Sequence, residues 1–172
     1  MNKKNVILIG FMGCGKTTVG RELAKNINFR FIDTDYMIQK EESKSIEKIF
    51  DTFGEQYFRK IEKNVCYRVS NFKNCVISTG GGIIKSEENM INLKKTGTII
   101  YLRATPQKIY KNLKYDNKRP LLKNKDKIKI ICDLLNERSY LYEKYADIIV
   151  DVDDNSPFVL AKIIKNNIKS IL

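Results

Sequence analysis

The chain has 172 residues, 42% of them hydrophobic, which is enough for a single domain with a sizeable buried core. It contains no histidine, and this excludes Ser-His-Asp hydrolases, HExxH metalloproteases and any histidine general base. The net charge is +12, but the lysines are spread along the chain without aromatic-basic motifs, so we expect a surface suited to anionic substrates and no nucleic-acid partner.

The first apolar run, 5–9, predicts a buried strand and not a secretion signal. It is cut at Gly10 and leads directly into a glycine-rich segment, with no small-residue cleavage site. No stretch reaches the roughly 20 apolar residues that spanning a bilayer requires. We therefore expect a cytoplasmic protein with no membrane partner. The cysteines lack CxxC spacing, as expected of reduced thiols: Cys14, Cys66, Cys75 and Cys132.

Short apolar runs alternate with segments of helical spacing along the whole chain. The predicted strands are 5–9, 29–32, 75–78, 98–102 and 147–151. The predicted helices are 16–27, 35–41, 45–52, 54–72, 86–94, 106–114, 126–145 and a last one from about 157. Residues 115–125 are rich in lysine and predict a mobile connection. This alternation is typical of an α/β fold in which helices cover both faces of a parallel sheet.

The segment after the first strand fits the phosphate-binding pattern G-x-x-x-x-G-K-[ST]. It reads Gly10-Phe11-Met12-Gly13-Cys14-Gly15-Lys16-Thr17, with a strand before it and a helix after it. The glycines allow backbone N–H groups to converge on phosphate oxygens, and the helix adds its positive end. We expect Lys16 to reach the β- and γ-phosphates and the Thr17 hydroxyl to coordinate Mg²⁺. The pattern predicts binding of ATP or GTP; a chance match in a structural loop is the alternative.

Cys14 occupies a variable position of this pattern and has two interpretations. The favoured one is a small residue that fills space in the loop. The alternative is a thiol that the helix terminus acidifies and that reagents can modify when nucleotide is absent. Alkylation that ignores bound ATP would contradict the second interpretation.

Two further segments directly follow predicted strands. They therefore lie at the carboxyl ends of the strands, which is where parallel sheets bind their ligands. Asp33-Thr34-Asp35 ends the second strand, and the alternation of an extended chain places both carboxylates on one side. One could help to hold Mg²⁺ and the other could orient an attacking hydroxyl; two solvated turn residues are the alternative. Gly80-Gly81-Gly82 predicts close backbone approach, with N–H groups offered to substrate hydroxyls; a simple loop is the alternative.

Three arginines are candidates for contact with anions. Arg138 falls on the apolar stripe of the 126–145 helix, and a buried arginine requires either a buried acid or an anionic ligand. Arg59 precedes Glu62 by three residues, either as a surface ion pair or with Glu62 aiming Arg59 at a substrate carboxylate. Arg119 precedes a proline in the predicted mobile connection, and closure of that loop would bring it to the γ-phosphate.

In this order the motifs resemble those of the shikimate kinases over nearly the whole chain. The pieces are Gly10–Thr18, Asp33-Thr34-Asp35, Ser45-Ile46, Ile49-Phe50, Gly54-Glu55, Phe58-Arg59, Glu62, Gly80-Gly81-Gly82, Arg119-Pro120-Leu121-Leu122, and Glu137-Arg138 through Tyr142. The resemblance implies a three-layer P-loop fold like that of nucleoside monophosphate kinases, with a five-stranded parallel sheet and a mobile lid at about 112–125. It implies ATP- and Mg²⁺-dependent phosphorylation of the 3-hydroxyl of shikimate. We expect one domain, acting as a monomer.

The resemblance also implies the role of each site residue. Nucleotide contacts fall on Gly13, Cys14, Gly15, Lys16, Thr17, Thr18 and Arg119, and Mg²⁺ contacts on Thr17 and Asp33. The residues implied in phosphoryl transfer are Lys16, Asp35 and Arg119. Arg59 and Arg138 would grip the substrate carboxylate. The other residues implied in substrate binding are Asp35, Phe50, Phe58, Glu62, Gly80, Gly81 and Gly82.

One region departs from the family pattern. Family members often carry an arginine in the helix before the lid that stacks on adenine, whereas this chain reads Lys111-Asn112-Leu113-Lys114 there. The residue that replaces the arginine stays open, and Asp153–Ser156 are candidates for the other wall of the adenine site. Other functions also stay open at this point: another small-metabolite kinase such as one acting on gluconate, a nucleotide-binding regulator without catalysis, and a nucleic-acid-binding protein.

Overall fold

The computed structural model describes residues 5–114 and 126–169, so the predicted connection at 115–125, with Arg119, lies outside the described residues. Within the described ranges, five strands form one parallel sheet in the order β2-β3-β1-β4-β5. The strands are β1 (Asn5–Ile9), β2 (Arg30–Asp33), β3 (Cys75–Ser78), β4 (Gly97–Arg103) and β5 (Ile148–Asp151). The five-stranded parallel sheet predicted from the sequence is confirmed.

The helices that connect these strands also agree closely with the prediction. They are α1 (Lys16–Ile27), α2 (Thr34–Glu42), α3 (Ile46–Ser70), α4 (Glu87–Thr96), α5 (Pro106–Leu113), α6 (Lys127–Tyr145) and α7 (Pro157–Ile168). In the part of the chain that the structure describes, no helix combines the length and the apolar composition that crossing a bilayer requires.

Two hydrophobic cores lie on opposite faces of the sheet. Val6 and Leu8 of β1 point into a core shared with α1 and α7, while Ile7 and Ile9 point into a core shared with α3 and α4. This follows from the period of two along a strand, and both faces are apolar because helices cover both. The molecule therefore has three layers, with β1 at the centre of the sheet.

The connections after β1 and β3 leave in opposite directions across the sheet. The chain runs from β1 through α1 to β2 at one edge, and from β3 through α4 to β4 on the other side of β1. Between neighbouring strands whose connections diverge, a crevice opens at their carboxyl ends, which is where open α/β sheets bind ligands. The predicted phosphate loop and the glycine triplet border this crevice.

Some element boundaries differ from the prediction for local reasons. α2 begins at Thr34 and not at 35, because the Asp33 carboxylate accepts a hydrogen bond from Tyr36 N and caps the helix. The separate helices predicted at 45–52 and 54–72 form one continuous element, α3, with a kink at Gly54, where φ is 80°. A 3-10 turn over Ile83–Lys85 was not predicted.

Candidate active site

The candidate segments meet at the carboxyl ends of β1, β2 and β3, where they line two adjoining cavities. The larger cavity has a volume of about 540 Å³ and contains the phosphate loop and both carboxylates of Asp33-Thr34-Asp35. The smaller cavity, about 90 Å³, is lined by Arg59 and Arg138 together with the candidate aromatic residues and glycines. We call them the nucleotide cavity and the acceptor cavity. They share three lining residues: Met12, Asp35 and Gly81.

The phosphate loop leaves its backbone donors available to a ligand. Every other α-helix of the described residues is preceded by a residue whose side chain accepts a backbone N–H, but α1 is preceded by Gly15, which has no side chain to do so. Gly15 has φ of 98°, a left-handed conformation that favours glycine. The N-terminal N–H groups of α1 therefore form an anion-binding site aimed at the nucleotide cavity.

The Lys16 ammonium rests on the loop itself. Its Nζ donates hydrogen bonds to Gly10 O at 2.8 Å and to Phe11 O at 2.9 Å. Nζ also lies 3.7 Å from the sulfur of Cys14, whose side chain is buried. The loop carbonyls thus hold a cation at the bottom of the nucleotide cavity, where phosphate oxygens would compete for it. The buried Cys14 agrees with a space-filling role, and the proposal of a modifiable thiol stays untested.

Thr17 and Asp33 form the candidate metal site. The Thr17 hydroxyl donates to Asp33 Oδ2 at 2.8 Å, and both side chains line the nucleotide cavity. Asp33 Oδ1 is fixed by the Tyr36 N–H at 3.1 Å. A hydroxyl and a carboxylate, both oxygen donors beside a phosphate site, suit Mg²⁺, which binds few protein oxygens together with phosphates and waters.

Asp35 occupies the boundary between the two cavities. It lies in the first turn of α2 and not in the extended chain, so its placement beside Asp33 was predicted for the wrong geometric reason. A Cβ added at Gly80 would lie 2.7 Å from Asp35 Oδ1 and 3.2 Å from Glu62 Oε1, which places both carboxylates against this glycine. The close backbone approach predicted for the triplet is found here.

Arg59 is held in the acceptor cavity by two carboxylates of its own helix. Its Nη1 donates to Glu62 Oε2 at 2.7 Å, and its Nη2 donates to Glu55 Oε1 at 3.0 Å. Glu55 is solvent-exposed, whereas Glu62 is 2% exposed. A Cβ at Gly82 would lie 2.6 Å from Arg59 Nη2, so any larger residue there would force the guanidinium to move from its present position.

Glu62 is a buried carboxylate, and its burial has an electrostatic cost. Burial raises the pKa of its carboxyl above the ordinary value, the Arg59 guanidinium opposes that rise, and the neighbouring Asp35 adds to it. Its Oε1 is buried without a hydrogen-bond partner among the described residues. Glu62 therefore holds Arg59 in place, but its own carboxylate is poorly solvated.

Arg138 enters the same cavity from α6, which confirms the inward direction predicted from its helical spacing. It is 4% exposed, and its Nε has no hydrogen-bond partner among the described residues. Its Cζ lies 5.9 Å from the centre of the Phe11 ring. Phe50 and Phe58 form an apolar wall with ring centres 4.8 Å apart. A buried guanidinium with an unused donor beside an apolar wall suits an organic anion.

Several residues of the nucleotide cavity were not predicted as site residues. They are Met12, Val19, Ser78, Thr79, Lys108, Val152, Pro157 and Leu160, together with Asn112 and Asn155, which fall in regions that the sequence left open. Lys108 and Asn112 are four residues apart on α5, a spacing that could have placed them on one face. Lys108 Nζ donates to Asp153 O at 2.9 Å, and Asn112 Nδ2 donates to Gly13 O at 2.8 Å.

Comparison with known proteins gives a consistent result. The family model described as shikimate kinase matches residues 12–171. A shikimate kinase of Caldicellulosiruptor saccharolyticus is 48% identical over 159 residues, 92% of each chain. One of Caldanaerobacter subterraneus subsp. tengcongensis is 45% identical over 153 residues, 89% of each chain. A solved shikimate kinase from Acinetobacter baumannii, in complex with shikimate, superposes with a TM-score of 0.94 at 34% identity, covering 97% of this chain and 93% of that one.

Proposed function

The chain belongs to the shikimate kinase family, and from this premise we propose that it transfers the γ-phosphoryl group of ATP to the 3-hydroxyl of shikimate. The products are shikimate 3-phosphate and ADP. The observation that carries the proposal is the pair of adjoining cavities with Asp35 on their shared boundary. A phosphate-binding loop on one side and an anion-binding pocket on the other would bring a γ-phosphate and an acceptor hydroxyl together.

The nucleotide cavity supplies the contacts for the triphosphate. Backbone N–H groups of Gly13, Gly15 and the first turn of α1, which includes Thr18, would surround the phosphates, and Lys16 would exchange its loop carbonyls for the β- and γ-phosphate oxygens. The far wall of the cavity, with Lys108 and Asn112 on one side and Pro157 on the other, would hold the base. Arg119 is proposed to contact the phosphates and lies outside the described residues.

Thr17 and Asp33 would hold Mg²⁺ together with phosphate oxygens and water. A bound Mg²⁺ neutralises the charge that develops on the phosphates during transfer. The hydrogen bond from the Thr17 hydroxyl to Asp33 already brings the two oxygen donors together on the wall of the nucleotide cavity. The Tyr36 N–H fixes the other oxygen of Asp33, so the carboxylate keeps its orientation when Thr17 turns to the metal.

The acceptor cavity supplies the contacts for shikimate. Arg138 and Arg59 would bind its carboxylate through charge-assisted hydrogen bonds, with Glu62 keeping Arg59 in position. Phe50 and Phe58 would pack against the ring, and Gly80, Gly81 and Gly82 would offer backbone groups to the ring hydroxyls. Different residues would thus contact the carboxylate of the substrate, the apolar face of its ring, and its hydroxyl groups, of which the acceptor hydroxyl would face Asp35.

The transfer step follows from these positions. The acceptor oxygen forms a bond to the γ-phosphorus while the bond from that phosphorus to the bridging oxygen breaks, and the bridging oxygen leaves with ADP. Asp35 would accept the hydrogen bond of the attacking hydroxyl and either orient it or take its proton. Positioning and charge neutralisation supply most of the rate in such reactions.

A coupled assay of ADP release with parallel acceptors tests the proposal. We expect rapid, Mg²⁺-dependent ADP release with shikimate, slower release with quinate and none above background with gluconate. Quinate keeps the carboxylate and ring hydroxyls but has a saturated ring, whereas gluconate is an open chain that cannot pack flat against Phe50 and Phe58. Faster release with gluconate than with shikimate, or equal release without any acceptor, would contradict the proposed function.

The oligomeric state and cellular location of the chain are separate from its chemistry. We expect it to act in the cytoplasm as a monomer, without nucleic acid or membrane as a partner. Light scattering during size-exclusion chromatography should give a mass close to the 20.0 kDa of one chain. A mass near twice that value would contradict the monomer.

A further inference from the structure

We propose that Tyr142 is a positioning residue for the acceptor: its hydroxyl holds the carbonyl of Gly81 and orients the guanidinium of Arg138, one helical turn earlier on the same helix. The inference rests on the proposed function and deepens it: Tyr142 does not line either cavity, but both groups that it joins line the acceptor cavity. Tyr142 has no direct role in the transfer step, and the inference gives its buried hydroxyl a function.

Tyr142 is held rigidly below the site. Its side chain is 0% exposed, and its ring stacks on Tyr101 with centres 4.9 Å apart and an angle of 16° between the planes. The phenol hydroxyl donates a hydrogen bond to Gly81 O at 2.5 Å, across 61 positions of sequence. A buried tyrosine usually finds a partner for its hydroxyl, and here the partner is part of the boundary between the two cavities.

Arg138 lies one helical turn before Tyr142 on α6, so both buried side chains are on the same face of this helix. Burial raises the pKa of the Tyr142 phenol, and the positive charge of the Arg138 guanidinium opposes the rise. The phenol therefore stays neutral and donates to Gly81, and its oxygen keeps lone pairs that a guanidinium N–H can use. Arg138 forms no ion pair with a described residue, and its Cζ lies 5.9 Å from the centre of the Phe11 ring, so the proposed contact with the phenol would supply the polar restraint on its guanidinium.

Gly81 transmits this restraint to both substrates' cavities. A Cβ added there would lie 3.1 Å from Met12 N, so the glycine backbone packs directly against the phosphate loop. Because a peptide group is planar and trans, fixing the Gly81 carbonyl also fixes the direction of the Gly82 N–H. One hydroxyl thus sets the orientation of a cationic clamp and of a backbone donor in the acceptor cavity.

The test is Tyr142→Phe, which keeps the ring and its stacking on Tyr101 and removes only the hydroxyl. We expect the KM for shikimate to rise about tenfold, the size of a lost hydrogen bond to a charged group. The KM for ATP should stay unchanged and kcat should fall by less than about threefold. Tyr145→Phe is the matched control: Tyr145 is buried on the same helix but lines neither cavity, and we expect unchanged constants.

A double variant shows whether Tyr142 acts through Arg138. In an Arg138→Ala background, Tyr142→Phe should raise the KM for shikimate by less than about threefold, because coupled residues are not additive. A full further tenfold rise, an unchanged KM in the single variant, or an equal rise for ATP would overturn the inference. If Arg138→Ala weakens shikimate binding while Tyr142→Phe does not, the proposed function stands and the inference fails. If wild-type protein does not phosphorylate shikimate, the proposed function itself fails.

Discussion

The nucleotide side and the acceptor side of the site are built in different ways. The phosphate loop is one run of consecutive residues, 10–17, between β1 and α1, and it offers mainly backbone N–H groups. The acceptor cavity takes its side chains from Met12 and from α2, α3 and α6, and its glycine backbone from the turn after β3, so its lining extends from residue 12 to residue 138. A backbone site of this kind serves many reactions, whereas a side-chain site assembled by packing specifies one substrate.

The charges of the two sides are also managed differently. Lys16 forms no ion pair with a described residue and rests on neutral loop carbonyls. Arg59, in contrast, is placed between the carboxylates of Glu55 and Glu62 before any substrate arrives. The nucleotide side therefore reserves its positive charge for the reacting phosphates, while the acceptor side fixes its charge in advance. Changes on the first side should lower the rate, and changes on the second should weaken binding.

Lys16→Met gives the largest expected effect and the sharpest test of this contrast. Methionine fills a similar volume in a buried position but removes the charge that faces the γ-phosphate during transfer. We expect kcat to fall by about 10³-fold or more, the loss typical of one essential transition-state contact, and the KM for shikimate to change little. Lys25→Met, at an exposed lysine of the same helix, should retain wild-type turnover. A kcat close to that of the wild type in Lys16→Met would contradict the claim that the charge of Lys16 serves the reacting phosphates.

Asp35→Asn tests the residue that the two cavities share. An amide is similar in shape but is a poorer acceptor and no base, so we expect kcat to fall by about 10²-fold or more and the KM for shikimate to rise much less. Steady-state kinetics at saturating ATP separates the two constants. Asp51→Asn, on an exposed position of α3, is the control. Wild-type turnover in Asp35→Asn would reject its role in orienting the hydroxyl.

We expect Arg138→Ala and Arg59→Ala to weaken the binding of shikimate without affecting the binding of ATP. Each removes charge-assisted hydrogen bonds worth about 1.5–3 kcal/mol, so we expect the KM for shikimate to rise by roughly 10- to 100-fold. The KM for ATP should stay within about twofold, since neither guanidinium lines the nucleotide cavity. Arg103→Ala, an exposed arginine that pairs with Asp151, should behave as wild type. An unchanged shikimate KM in either variant would refute the carboxylate assignment.

The same contrast explains how much the sequence could predict. The phosphate loop is a local pattern with a fixed spacing, so its glycines, Lys16 and Thr17 could be identified from the amino-acid sequence alone. Arg138 was detectable because a charged residue interrupts an apolar stripe. Asn112 and Lys108 were not identified as site residues, because they reach the cavity through contacts such as that between Asn112 and Gly13, 99 positions apart. Their spacing of four residues indicates a shared helix face, but not which distant segment that face contacts.

Glu62→Gln gives the smallest expected effect and shows what fixing charge in advance costs. Because burial raises the pKa of Glu62 above its ordinary value of 4.5, the folded state binds this proton more tightly than the unfolded chain does. The free energy of unfolding that Glu62 contributes is therefore highest below pH 4.5 and falls as pH rises towards the raised pKa. Replacing Glu62 by glutamine should remove this part of the decline.

Urea unfolding at a series of pH values from about 4.5 upward measures this decline directly. We expect the free energy of unfolding of Glu62→Gln to fall less steeply with pH than that of the wild type. Glu55→Gln removes the exposed partner of the same guanidinium and keeps Glu62, so its slope should match the wild type. If all three slopes coincide, the buried carboxylate does not set the cost of holding Arg59. A steeper slope in Glu62→Gln would mean that the ion pair with Arg59, and not burial, dominates the energetics of the acceptor side.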